Sequence, residues 1–335
     1  MSISGIIKMN IMSGHTPKIV CIGKATQDVF LKDEEFDPHK EGKIVYTHLP
    51  LGAKMDIDDI EFATGGNATN VAVTFARQGL HAEYVWVLGF DPASETILRE
   101  LDKEGVSTNH VVQKDKYQAA YSTILIATNG ERTILNHHGR STSKNGEDLQ
   151  LETIANADWV YPTALAKGGV DLLRKIVDVA DEHDVKVMLN PAGTELADPD
   201  KLKGLLESVE VLCLNKEEAQ IVVEGTSSEE LVRHLLHYVK VAIVSDGPRG
   251  VVASDGKTLI KAGMYEDLRV VDRTGAGDAF ASGFLSQWAQ GKSLKDSIVF
   301  ASANSTSVVT KIGAKAGLLP KHVKLHDMPL EEKTI

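Results

Sequence analysis

The chain has 335 residues, 42% of them apolar, with 47 acidic against 36 basic side chains and a formal net charge of -11. That balance belongs to an ordinary globular protein and argues against nucleic acid as a partner, because neutralising a phosphate backbone needs a clustered basic surface. A phosphorylated small molecule stays open, since backbone amides bind phosphate without any lysine.

Residues 1–17 read as a flexible leader without the apolar core of a signal peptide, and Met9 or Met12 could equally be the true start. From Lys18 onward, short β-branched runs alternate with helical stretches. "KIVCIG" predicts a strand, "NVAVTFARQG" a helix closed by Gly79, "AEYVWVLG" a second strand, and "ETILRELDKEG" an amphipathic helix ending at Gly105. Two stretches break the rhythm. Residues from about Leu31 to Phe62 carry scattered polar and proline positions, and "YSTILIATNGERTIL" predicts two antiparallel strands with a turn at Asn129-Gly130. An antiparallel hairpin in such a setting suggests a lid. Beyond it, "ADWVYPT", "VKVMLNP", "VEVLCLN" and "VAIVSDG" predict apolar strands separated by helices, hence a mainly parallel α/β sheet covered on both faces. Cys21 and Cys213 sit within strand runs and read as small buried hydrophobes in a reducing compartment. No apolar run reaches bilayer length. The expectation is a cytoplasmic protein with no membrane or nucleic-acid partner.

Ligands of open α/β sheets settle beyond the carboxyl ends of the strands. Polar residues recur at those ends: Asp28, Asn190, Asn215, Glu218, Asp246 and the run from Asp272 to Asp278. Each alone reads equally as a turn or cap residue. The densest case is "RVVDRTGAGDAF", where a strand-like apolar run enters Gly275-Ala276-Gly277 and Asp278 follows at once, ahead of a helix with Phe280, Phe284, Leu285 and Trp288 on one face. Amides at a helix start are unpaired donors favouring an anion. An acid placed there makes sense if it takes a proton from a hydroxyl attacking that anion, as phosphoryl transfer requires. Asp278 as a plain helix-terminal acid is the competing reading. Neither GxGxxG nor GxxxxGK[ST] is present, so dinucleotide and P-loop binding fall away.

"DRTGAGDAFASGFL" resembles the C-terminal signature of the ribokinase-like, or PfkB, carbohydrate kinase family, and "GGNATNVAVTFARQG" with Gly89 resembles its N-terminal signature. The likeness runs from about Lys18 to Pro320. It implies a doubly wound α/β kinase domain over 18–325, a small β-rich lid from about 31–62 and 117–136, and a C-terminal tail at 326–335. It also implies ATP, Mg2+ and a sugar or sugar derivative as ligands. By resemblance, Asp278 is the general base, and the amides of Gly275, Ala276 and Gly277 form the anion hole. Gly65, Gly66, Asn67, Asn70 and Asp28 bind substrate, although Asn67 could instead cap its helix.

Asn215 and Glu218 match the family's element near the phosphates and magnesium, Glu218 acting partly through water, with Asn215 as helix cap the alternative. Asn190, Ser245, Gly247, Gly250 and Ser302 fall to the nucleotide, and "SANSTSVVTKIGAKAG" to the helix and loop beside adenine. Asp272 is expected to hold a potassium-like ion. Arg273 stands where the family has a small residue, either touching phosphate or pointing into solvent. Thr26 and Asn67 replace an asparagine and a lysine usual in ribose-specific members, which weakens ribose as the substrate. A nucleoside (adenosine-type) kinase of the same fold is the alternative function. A non-catalytic sugar- or nucleotide-binding relative is the alternative class. Two copies could pair through the lid.

Overall fold

A computed structural model of the chain describes residues 15–141, 146–166 and 169–335. Most of the leader lies outside these residues. Nine strands form the main sheet, in the spatial order Leu330–Thr334, Thr258–Ala262, Val251–Ser254, Val241–Ser245, Val211–Asn215, Lys186–Leu189, Trp159–Pro162, Lys18–Ile22, His81–Val85. The six from Val241–Ser245 to His81–Val85 are parallel throughout. Their near-continuous apolar runs follow from burial on both faces: Ile19 to Ile22 and Val241 to Val244 are almost wholly enclosed. The remaining three strands are antiparallel. The fold is therefore α/β with a mostly parallel sheet, as expected.

Two segments depart from expectation. The supposed tail at 326–335 is partly sheet, because Leu330–Thr334 pairs antiparallel with Thr258–Ala262 and the Ile335 amide donates to the Lys257 carbonyl at 2.9 Å. Its sequence, "LEEKT", hides this. An edge strand needs no apolar outer face, and its charges discourage further pairing. The run "AEYVWVLG" is two strands rather than one. His81–Val85 belongs to the main sheet, Val87–Leu88 pairs with Val112–Gln113, and Trp86 turns its indole N–H to the Ser141 carbonyl at 2.6 Å.

A separate four-stranded sheet runs Arg132–His137, Ala120–Ile126, Thr26–Lys32, Asp59–Gly65. The hairpin turns through Ala127–Glu131, with Gly130 at φ 86°. The two strands bracketing the irregular stretch begin earlier and end later than residues 31–62, and a short hairpin, His39–Glu41 with Ile44–Tyr46, lies between them. Phe30 and Ala63 of this sheet rest against Gly313, so the sheet sits over the loop that follows helix Leu294–Val308.

Candidate active site

Residues 269–274 form no strand, contrary to the sequence expectation; the amides of Val271 and Asp272 both donate to the Val309 carbonyl, at 2.7 and 3.2 Å. The chain then turns at Gly275, whose φ of 76° is left-handed and whose missing Cβ would lie 2.3 Å from that of Ala314. Only glycine fits there. Gly275 is the N-cap of helix Ala276–Trp288 and offers no side-chain cap. Ala276 turns its amide back to the Arg273 carbonyl over a long 3.3 Å, while no bond among the described residues engages the amides of Gly275 and Gly277. Gly277 has no atom within 4 Å of where its Cβ would stand. The fold does not require a glycine at 277, whereas an anion approaching the helix start would.

Asp278 is 8% exposed, and its two oxygens accept from the side-chain amides of Asn67 at 3.0 Å and Asn70 at 2.8 Å. Burial pushes its carboxyl group above the ordinary aspartate range, while Asn70, Asn67 and the Lys315 ammonium pull it back. Two donors aimed at two oxygens select the ionised form, since a protonated acid would face one of them with a hydrogen. This arrangement of donors suits a carboxylate able to accept a proton.

Helix Asn67–Arg77 supplies both amides. Its N-cap is Gly66, at φ 94°, where a Cβ would fall 2.4 Å from the Lys24 carbonyl oxygen. Asn67 is thus the first helical residue rather than a cap, and its side chain is free for Asp278. Thr69 holds the preceding loop through the carbonyls of Gly65 at 2.7 Å and Gly66 at 3.0 Å. Asp28 lies within strand Thr26–Lys32 rather than just past a strand end, against Gly65 and hydrogen-bonded by Thr26 at 3.1 Å. Burial raises its pKa, opposed by Ser122 and Thr26. Asp28 does not line the cleft that contains Asp278.

That cleft, about 340 Å³, brings together Asn67, Asn190, Asn215, Glu218, Ser245 and the Gly275–Asp278 turn. Asn190 donates to the Cys213 carbonyl at 2.9 Å. Asn215 and Glu218 form a reciprocal capping box, each side chain accepting the other's amide at 2.8 and 2.9 Å, so the cap reading of Asn215 holds alongside its place on the wall. Burial raises the Glu218 pKa. Arg273 also reaches this cleft, while His137 and His138 stay exposed outside it.

A neighbouring cavity of about 170 Å³ shares Ser245, Ala276, Gly277 and Phe280 with the cleft and adds Gly247, Gly250 and Ser302. Gly250 is demanded by its φ of 93° and an Ala262 carbonyl oxygen 2.0 Å from any Cβ. Met264 and Tyr265 also line this wall and carried no motif by which the sequence could have marked them, whereas Ser305 and Thr306 belong to the "SANSTSVVTKIGAKAG" stretch expected beside adenine. The loop "KIGAKAG" does not line it. Lys315 instead donates to the Thr64 carbonyl and hydroxyl at 2.9 Å each, and to the Thr69 hydroxyl at 2.8 Å. Burial pushes that ammonium down to about 7.

Among the described residues no cluster of three or more His, Cys, Asp or Glu could cage a metal. Glu218 is the cleft's carboxylate besides Asp278, a hard oxygen donor suited to an ion held mainly by phosphate and water.

The sequence pattern of the pfkB carbohydrate kinase family matches residues 16–322. The chain is 26% identical over 279 residues to a ribokinase of Haemophilus influenzae, covering 80% of this chain and 88% of that one. An Arabidopsis thaliana ribokinase solved with ribose and ATP superposes with a TM-score of 0.75 at 22% identity, over 92% of this chain and 97% of that one. A nucleoside kinase of Methanocaldococcus jannaschii does so at 0.69 and 20%, over 91% and 96%.

Proposed function

The chain belongs to the pfkB family of carbohydrate kinases, and from that premise we propose that it transfers the terminal phosphoryl group of ATP to a hydroxyl of a small sugar or sugar derivative. The observation that carries this reading is the Asp278 carboxylate, held by Asn67 and Asn70 beside a helix start whose Gly275 and Gly277 amides have no partner among the described residues.

The acceptor hydroxyl gives its proton to Asp278 as its oxygen bonds to phosphorus; the bond from phosphorus to ADP breaks, and ADP leaves with the electron pair. The Gly275 and Gly277 amides, with the helix dipole behind them, offset charge gathering on the phosphoryl oxygens. Asn67 and Asn70 keep the base ionised and aimed. Gly65 and Gly66, anchored by Thr69 and Lys315, hold the acceptor's side, with Asp28 behind Gly65. Ser245, Gly247, Gly250 and Ser302 face the nucleotide. Mg2+ would be held by Glu218, with Asn215 orienting it, and would supply neutralisation of the phosphate charge.

The cytoplasm is the proposed location, on the strength of two buried free thiols, Cys21 and Cys213. Among the described residues no helix is long and apolar enough to cross a membrane. A homodimer through the lid is proposed from the exposed Ile60, Phe62, Ile134 and Leu135, each more than half accessible.

The test is a coupled kinase assay with a panel of sugars, sugar acids and nucleosides, comparing the parent with Asp278→Asn. Turnover of a sugar that depends on Asp278 supports the reading. Turnover of adenosine or cytidine alone replaces it with a nucleoside kinase. Ligand binding without any turnover replaces it with a non-catalytic relative.

A further inference from the structure

A buried carboxylate needs positive charge or several donors beside it. Asp272, 5% exposed, receives both from the chain itself. Its Oδ1 accepts from the Thr274 amide at 3.0 Å and the Thr274 hydroxyl at 2.7 Å, and lies 3.2 Å from Nη1 of Arg132. Its Oδ2 accepts from the Gly313 amide at 3.0 Å. Three hydrogen bonds hold the carboxylate, and the Arg132 guanidinium at ion-pair distance balances its charge. The positive charge that a monovalent ion would bring to this acid, as the resemblance implied, is thus already supplied by the chain.

Arg132 opens the second strand of the lid hairpin, opposite Ile126. Asp272 lies in the loop that passes through Thr274 into Gly275. The pair therefore joins the lid to the approach of the anion hole. Lys32 and Arg269 line the same cavity between lid and loop, of about 270 Å³. Positive charge is already concentrated there, which disfavours uptake of a free cation.

We propose that the Arg132 guanidinium takes the place of a monovalent cation at Asp272, so that phosphoryl transfer by this protein is independent of potassium and the lid supplies the charge that orders the anion hole. A guanidinium is permanently charged, planar and weakly hydrated, which suits a buried carboxylate. Unlike a free ion it is tethered to the lid, so order in the 272–275 turn follows the lid's position. Arg132 touches no reacting atom. It is a positioning residue acting through Asp272 and Thr274.

The inference rests on the kinase reading, and its test separates the two. Turnover and melting temperature of the parent are measured in potassium chloride and in tetramethylammonium chloride at equal ionic strength. The same turnover and the same melting temperature in both salts are expected. Arg132→Met should lose about tenfold or more in kcat, as misplacement of a turn commonly does, and should regain part of it with potassium. Potassium-specific activation or stabilisation of the parent overturns the proposal, whether or not the variant folds. A folded Arg132→Met variant that matches the parent in both salts also overturns it. Absence of turnover with every acceptor counts against the kinase reading instead, and the melting curves still answer the question of the cation.

Discussion

Exchanging Asp278 for asparagine separates the chemistry of the base from its part in the scaffold. The side chains are nearly the same size, and the partners are two amides, Asn67 at 3.0 Å and Asn70 at 2.8 Å. An asparagine at 278 keeps one acceptor and presents an NH2 to the other partner. Asn70 can answer by turning its amide over, because its own Oδ1 is buried and has no partner among the described residues. Hydrogen bonding is then conserved, and a buried charge is gone. Burial raises the folded pKa of Asp278 above the unfolded value of about 3.9. The ionised group therefore costs the native state nothing below that value, progressively more as pH rises towards the folded pKa, and the full amount beyond it. Each pKa unit is worth about 1.4 kcal/mol. The variant should melt at or above the parent's temperature at pH 8, with the gap narrowing as the pH falls towards the ordinary aspartate range. Its kcat should fall by about 10²–10⁴ if Asp278 is the base. KM values should change little, and the acid limb of the parent's kcat/KM, set above the ordinary aspartate range, should vanish. A kcat within tenfold of the parent, or a lower melting temperature at pH 8, refutes this reasoning.

Gly277→Ala should keep or raise the melting temperature, because the Cβ meets nothing within 4 Å and alanine is worth about 0.5–1 kcal/mol over glycine in a helix. It should still lose activity by crowding the phosphate; unchanged kcat/KM would remove the anion hole from this turn. Gly275→Ala should instead lower the melting temperature, by strain of about 1–3 kcal/mol at its left-handed φ and by collision with Ala314. The Lys315 ammonium, pushed down to about 7 by burial, donates to three oxygens of Thr64 and Thr69. The parent's acceptor KM should rise from pH 6 to pH 8 as one donor is lost, and Lys315→Met should show a high, flat KM with less effect on kcat. Phe62→Asp should convert a lid-mediated dimer to a monomer in sedimentation; an unchanged sedimentation coefficient would place any dimer elsewhere.

The parallel strands were legible because burial on both faces writes an unbroken apolar run, as in "KIVCIG" and "VAIVSDG". The turn proposed to hold the phosphoryl group was legible because two glycines and an acid stand within four residues just ahead of an apolar helix face. Asn67 and Asn70 stood in one motif, but their partner lies more than two hundred residues away, so the sequence left Asn67 between cap and contact. Two elements were not legible. "LEEKT" has no apolar face to announce a strand, and "DLRVVD" has one yet forms none, because Val309 takes its amides before any neighbouring strand can. Arg132 read only as part of a hairpin, since nothing local ties a lid residue to an acid at position 272.

Three consecutive residues explain why so much of this site escapes local reading. The Gly313 amide fixes Asp272, Ala314 forms the surface against which Gly275 turns, and Lys315 anchors Thr64 and Thr69 behind the Gly65-Gly66 loop. Arg77, paired with Glu104, holds the Lys315 carbonyl at 2.9 Å and so ties the segment to the far end of the Asn67–Arg77 helix. One short loop thus sets the distance between the proposed anion hole and the Gly65-Gly66 loop proposed to hold the acceptor. A shift of this segment moves donor and acceptor halves relative to each other while leaving both intact, and near-attack geometry tolerates little of that. Substitutions at 313–315 should therefore act chiefly on phosphoryl transfer and on acceptor affinity, with nucleotide affinity preserved, even though none of the three residues needs to touch a reacting atom.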